Sequence, residues 1–256
     1  MKLVLKDKTK ANIFMTIFRQ LKSHVEIVNI IFNDDQLYMQ GLDSGHVSMF
    51  ELKLLKSWFD EYDADGEILG LNCAVLHAVF SGMETDHELR LHTDKDGDVL
   101  FMNLISEEQG VFNKLYEISL IDLDQELLKV PDTYWELDLK LQSPAFAKII
   151  DQLAKFGDDI KLSCNEDKVE LSTNGDNGRM SVEIEMDDVI EFGIEEGKEV
   201  KALFSSSLLH WITQFSKLSE EMEIHFKENT PIEMKYMIHE TDNYFRFFLA
   251  PKIDDL

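Results

Sequence analysis

The chain predicts an α+β fold in which one domain is built twice, with helices in an inner layer and antiparallel sheets outside. Three observations carry that expectation. There is an internal repeat at about half the chain length, two helix-period segments lie in each half, and short alternating segments fill the space between Asn/Asp/Gly turns.

The repeat comes first because it sets the domains. Phe14, Ile17, Gln20 and Leu21 recur 132 residues later as Phe146, Ile149, Gln152 and Leu153, and Asn33-Asp34-Asp35 becomes Asn165-Glu166-Asp167. After one inserted residue the offset is 133: Leu76-His77 meets Leu209-His210, and Glu88 to His92 meets Glu221 to His225. Two similar domains are therefore expected at about 1–120 and 134–256.

Each half reads in the same order. A strand (1–6, or 134–141) precedes a helix (9–23, or 143–156). Strands follow at 25–32, 35–41 and 46–55, or 158–164, 168–173 and 178–186. A second helix (72–82, or 205–218) leads into further strands ending at 110–120 and 243–250. Apolar residues at helical spacing, such as Ile13, Phe14, Ile17 and Leu21, face the core and leave the opposite face wet.

Composition narrows the class. In 256 residues, 44% are hydrophobic and only 12 are Gly and 4 Pro, which describes a globular chain and not an acidic tail. Two cysteines, Cys73 and Cys164, cannot build a disulfide framework or a multi-thiol metal site and fit a reducing compartment. The sequence shows neither a membrane-length apolar run nor a signal peptide at Met1–Asp7, so a soluble intracellular protein is expected. A net charge of -25 argues against indiscriminate binding to nucleic acid or anionic membrane.

The catalytic search is mostly negative. Gly-x-Gly-x-x-Gly, Walker, His-Glu-x-x-His and Gly-x-Ser-x-Gly motifs are absent, and neither metal nor cofactor is expected. Asp94-Lys95-Asp96-Gly97-Asp98 begins like a calcium loop, but its Gly comes two positions early and Ile105 stands where a bidentate Glu is needed, so it reads as a hairpin turn. Asp34-Asp35 and Asp187-Asp188 could serve a metal-dependent nuclease, and are better read as solvated turns. His92 and His225, at equivalent strand positions, read as structural.

Charge placement says more. The four helical segments hold 54 residues, in which the chain's average would place about ten acids. They hold one, Asp151, against Lys10, Arg19, Lys22, Lys148, Lys155 and Lys217. One positive layer facing a polyanion explains that depletion, with contacts that are non-specific and salt-sensitive. Between the halves, 121–133 belongs to neither repeat and carries exposed Leu and Val, as an apolar connector. The C-terminus stays apolar through Ile253. Connector and tail together suggest a groove for an apolar peptide, the alternative being a tail folded on its own core.

Phe248-Leu249-Ala250-Pro251-Lys252-Ile253-Asp254-Asp255 resembles the C-terminal signature of the proliferating cell nuclear antigen family, the eukaryotic-type DNA sliding clamps. Leu42-Asp43-Ser44-Gly45-His46-Val47-Ser48 resembles its Asp-Ser-Ser-His-Val-Ser loop, and Leu120-Ile121-Asp122-Leu123-Asp124 the start of its interdomain connector. Phe146-Ala147-Lys148 and Ile160 to Cys164 also match, and the resemblance runs essentially end to end.

It implies a non-enzymatic processivity factor: a head-to-tail homotrimer around duplex DNA, in the nucleus or another site of replication. Polymerase, clamp loader and repair proteins are the implied partners. The implied DNA-facing residues are Lys10, Arg19, Lys22, His77, Lys148, Lys155, His210 and Lys217. Partners are implied to dock a peptide with a Gln and an aromatic pair, the PIP box. Its groove would use Leu42, Asp43, His46, Val47, Leu128, Val130, Pro131, Pro231, Phe248, Ala250, Pro251 and Ile253. Subunits are expected to join by edge strands, Phe112, Tyr116 and Ile118 of one against Met180, Val182 and Ile184 of the next. A monomeric or dimeric factor gripping DNA by a basic face is the alternative. Glu166 replaces the Lys that eukaryotic relatives modify with ubiquitin, and Phe248 replaces a Tyr of the groove.

Overall fold

A computed structural model describes residues 1–93, 97–123, 126–130, 134–176, 178–239 and 242–253. In chain order the elements are β1 (Lys2–Leu5), α1 (Lys8–Leu21), β2 (Ile27–Phe32), β3 (Gln36–Leu42), β4 (Ser48–Leu55), β5 (Glu61–Asp63), β6 (Glu67–Asn72), α2 (Cys73–Ser81), β7 (Glu88–Thr93), β8 (Val99–Ile105) and β9 (Lys114–Ser119). They continue with β10 (Leu137–Gln142), α3 (Ser143–Leu153), β11 (Asp159–Asn165), β12 (Lys168–Gly175), β13 (Gly178–Ile184), β14 (Glu191–Ile194), β15 (Val200–Ser205), α4 (Ser206–Thr213), β16 (Glu221–Phe226), β17 (Ile232–Met237) and β18 (Tyr244–Leu249). No described helix is long and apolar enough to cross a membrane.

The chain divides into two compact units. The first comprises Met1–Ser44, Glu51–Leu128 and Glu240–Tyr244, the second Gly45–Phe50, Lys129–His239 and Phe245–Leu256. Strand order in the first is β5-β1-β7-β8-β9 and β4-β3-β2-β6; in the second it is β14-β10-β16-β17-β18 and β13-β12-β11-β15. Equivalent strands occupy equivalent places. β16 follows β7 by 133 residues at both ends, as the sequence repeat requires.

In the first unit, the Asp7 carboxylate accepts the Thr9 and Lys10 amides and so starts α1, while Asn72 does the same for α2 through Ala74 and Val75. Ala11, Phe14, Ile17, Phe18 and Leu21 form the buried stripe of α1. Phe18 stacks on Phe80 of α2 at 5.7 Å, which ties the two helices together. In the second unit, Phe215 lies against Phe245 and Phe247 at 4.9 and 5.1 Å and is fully buried.

That ring corrects one expectation. The helix expected over 205–218 ends at Thr213, and a 3-10 turn at Ser216–Leu218 follows, because the chain must leave the helical path to seat Phe215 inward. The helix expected over 143–156 also ends early, at Leu153, and Phe156 turns back on the Leu153 carbonyl. Gly175 permits the next approach, since a Cβ there would lie 1.9 Å from the Phe156 oxygen.

Candidate functional surfaces

The helices carry the expected charge pattern, with modifications the sequence did not show. Among α1 to α4 the one acid is Asp151. It binds Lys155, just past the end of α3, at 2.6 Å, and lies 3.4 Å from Nε2 of His210 on α4. Arg19, Lys22, Lys148 and Lys217 are exposed and make no ion pair among the described residues. Lys10 is half-buried, its Nζ 6.0 Å from the centre of the Trp58 ring. His77 donates from Nδ1 to the Arg19 carbonyl at 2.9 Å, since a carbonyl can only accept, and this links α2 to the last turn of α1.

β9 and β13 each end a sheet of their own unit. Along β9, Ile118 is 6% exposed and Tyr116 half-buried, both facing their own unit, whereas Leu115 is 72% exposed. Phe112, just before the strand, is exposed and its carbonyl accepts from Nε2 of the buried His87. In β13, Met180 and Val182 are half-buried and Ile184 is buried. An open groove of about 350 Å³ runs between β13 and α3, lined by Leu141, Phe146, Ile149, Val182 and Ile184 among others. The outward apolar groups near the first edge are thus Phe112 and Leu115. Sequence alternation pointed to Tyr116 and Ile118 because it cannot tell which of two faces is the core.

The connector residues 121–123 and 126–128 lie on the first unit. Ile121 donates its amide to the Gly70 carbonyl at 2.9 Å, and Asn29 donates its side-chain NH₂ to the Leu123 carbonyl at 2.9 Å. Gln40 accepts the Leu128 amide at 2.5 Å and donates to the Leu128 carbonyl at 3.1 Å. Leu127 and Leu128 remain 52% and 44% exposed. Leu42 is half-buried and Asp43 buried. A Cβ at Gly70 would come 2.0 Å from the Ile121 oxygen, so only glycine leaves room for the segment there. Sequence reasoning missed Asn29, Gln40 and Gly70; their one signal is small or polar residues at outward positions in three strands.

In the second unit, the Ala250 amide donates to the Val47 carbonyl at 3.0 Å, which joins the His46 loop to the C-terminal segment. His46 has φ +55°, and it and Val47 are exposed. Pro231 is exposed, Val130 and Pro251 half-buried, and Ile253 90% exposed. Phe248 is half-buried beneath Arg246, whose guanidinium lies 5.2 Å from the ring centre. Pro131, Asp254 and Asp255, together with Asp124 of the connector and Asp94, Lys95 and Asp96 of the expected hairpin turn, lie outside the described residues. Among the described residues, three or more His, Cys, Asp or Glu side chains nowhere come together as a metal site; Asp34-Asp35 form a bend between strands, and Asp187-Asp188 lie in a 3-10 helix, Met186–Asp188.

Family profiles cover nearly all of this architecture. Residues 5–127 match the profile described as proliferating cell nuclear antigen, N-terminal domain, and residues 129–253 its C-terminal domain. The chain belongs to the proliferating cell nuclear antigen family. It is similar to the proliferating cell nuclear antigen of Chaetomium thermophilum, 29% identical over 252 residues and covering 96% of each chain. It is also similar to proliferating cell nuclear antigen 1 of Plasmodium falciparum, 28% identical over 262 residues, covering 96% of this chain and 95% of that one. The family is that of DNA sliding clamps, so the chain is a clamp-type processivity factor of DNA replication and repair with the α+β clamp fold.

Proposed function

We propose that the chain works as a closed homotrimer around duplex DNA and recruits polymerase, clamp loader and repair proteins by peptide docking, as a scaffold without catalysis of its own. The observation that carries the reading is the helix layer. A chain with 50 acids leaves one among four helices and pairs it with Lys155, with His210 3.4 Å away. Arg19, Lys22, Lys148 and Lys217, with Lys10 and His77 behind them, then meet phosphates as exchanging contacts. Interactions between exposed charges fade beyond ~8 Å at physiological ionic strength. Retention on DNA therefore comes from encirclement, and weak contacts permit sliding.

Closure is supported by two sheet-ending strands, which are otherwise open to uncontrolled pairing. Phe112 and Leu115 beside β9 supply apolar side chains, and the groove flanking β13 would receive them. Partner peptides would place apolar side chains against Leu42 and Leu128 of the first unit; Val47, Pro231, Phe248 and Pro251 are the apolar candidates within the second. A clamp of this kind acts where DNA is copied, in the nucleus or an equivalent compartment. The test compares clamp loaded on circular DNA before and after a single cut. Rapid loss after linearisation is expected; equal retention on both forms would favour a monomer or dimer that grips DNA by its basic face.

A further inference from the structure

We infer that the side-chain amides of Asn29 and Gln40 are positioning residues for partner docking, holding Leu123 and Leu128 of the connector in the register that leaves Leu127 and Leu128 exposed. The inference rests on the docking role proposed above. Strand register puts three residues in one line across the sheet: Asn29 on β2 stands opposite Gly70 on β6 and opposite Gln40 on β3. All three are on the face away from the core, which is built by Val28, Ile30, Leu37, Met39, Leu69 and Leu71. Other outward positions are wetter, with Ile68 60% exposed, yet Asn29 is 8% and Gln40 3% exposed because the connector crosses them.

Each member of the row holds one point of the segment: Gly70 the Ile121 amide, Asn29 the Leu123 carbonyl, Gln40 both backbone groups of Leu128. The Gln40 amide is also oriented from behind. The Tyr38 hydroxyl donates to Glu51 Oε1 at 2.7 Å, so its oxygen is left to accept from Gln40 Nε2 at 2.8 Å. Nitrogen must then face the Leu128 carbonyl and oxygen the Leu128 amide. The flipped amide would set oxygen against oxygen.

The repeat supplies an internal control. The equivalent row in the second unit is Leu203, Lys161 and Ser172, joined by the same cross-strand register. The first contact persists there, as the Lys252 amide donates to the Leu203 carbonyl at 2.7 Å. The two amides have no counterpart, since Lys161 is exposed. Amides required by the sheet itself would recur in both units. They occur where the connector lies.

Gln40→Met keeps the stem and removes both hydrogen bonds to Leu128, and Ser172→Met is the matched change in the other unit. Exchange of the Leu128 amide should accelerate about tenfold in Gln40→Met, and a peptide with a Gln and an aromatic pair should bind about threefold or more weakly. Tyr38→Phe, which frees the amide to flip, should lie between wild type and Gln40→Met, and serves if Gln40→Met does not fold. Unchanged exchange and affinity in Gln40→Met, or the same losses in Ser172→Met, would overturn the positioning role. Wild-type protein that binds no such peptide would overturn the docking reading instead, while Leu128 exchange still decides whether Gln40 holds the segment.

Discussion

His225 shows how a single side chain can carry a pH-dependent part of the stability. Its Nδ1 lies 2.6 Å from Asp138, its Nε2 3.7 Å from Glu223, and the Trp135 ring stacks on it. Burial opposes its charge, but the neighbouring carboxylates of Glu223 and Asp138 outweigh burial and raise its pKa above the ordinary 6.5. Glu223 is held down to about 2, first by the adjacent His225 ring, against burial and with help from Lys235. The histidine's contribution is complete below its ordinary value and lost as pH rises through the raised one. The carboxylate's is complete above its ordinary 4.5 and lost as pH falls toward about 2. Both are therefore full between the two ordinary values. His225→Gln should cost more stability at about pH 5.5 than at about pH 9 in denaturant unfolding; equal losses at both would contradict the assignment. The sequence placed this histidine on a strand as a structural residue, and its partners, on β10 and β16, became visible only with the strand register.

Among the elements, the helix pair α3 and α4 makes the sharpest forecast, because under the proposed DNA contact Asp151 would act as an intrinsic brake on the bases beside it. Asp151→Asn would release Lys155 and His210, so affinity for short duplex DNA should rise and its salt dependence steepen by up to about 0.9 per new phosphate contact. Lys22→Ala, Lys148→Ala and Lys217→Ala combined should do the opposite and impair processive synthesis, with the peptide affinity kept. A triple variant with wild-type salt dependence would remove these bases from the contact. Helices and strands were largely legible beforehand, since period and turn residues are local: the repeat located α1 to α4 from residues such as Phe14 and Phe146. What was hidden depends on distant neighbours. The end of α4 is set by the pocket for Phe215, the facing of Leu115 by which side of β9 is core, and the Gly70–Asn29–Gln40 row by the pairing of three strands.

For the whole molecule, the proposed assembly rests on two sheet edges and a few outward apolar groups. Phe112 and Leu115 are 76% and 72% exposed, far beyond Ile118 at 6%. Glutamate at Leu115 adds a charge where a neighbour's apolar surface is proposed, and should shift the mass in solution from three copies of the 29.7 kDa chain toward one. Ile118→Val should leave the assembly intact and cost about 0.5–1.5 kcal/mol of stability; a trimer that survives Leu115→Glu would point to other contacts. The division of the chain has a consequence for synthesis. The first unit includes residues from both ends of the sequence: the Leu55 amide is satisfied by the Asn243 side chain at 2.7 Å, and Asn243 is fully buried. A ribosome releases those two residues 188 positions apart, a delay of about 10–40 s at ~5–20 residues per second. The unit that holds β4 is thus finished only after the second unit's strands have been made, and a nascent chain must keep its Leu55 amide waiting until Asn243 emerges.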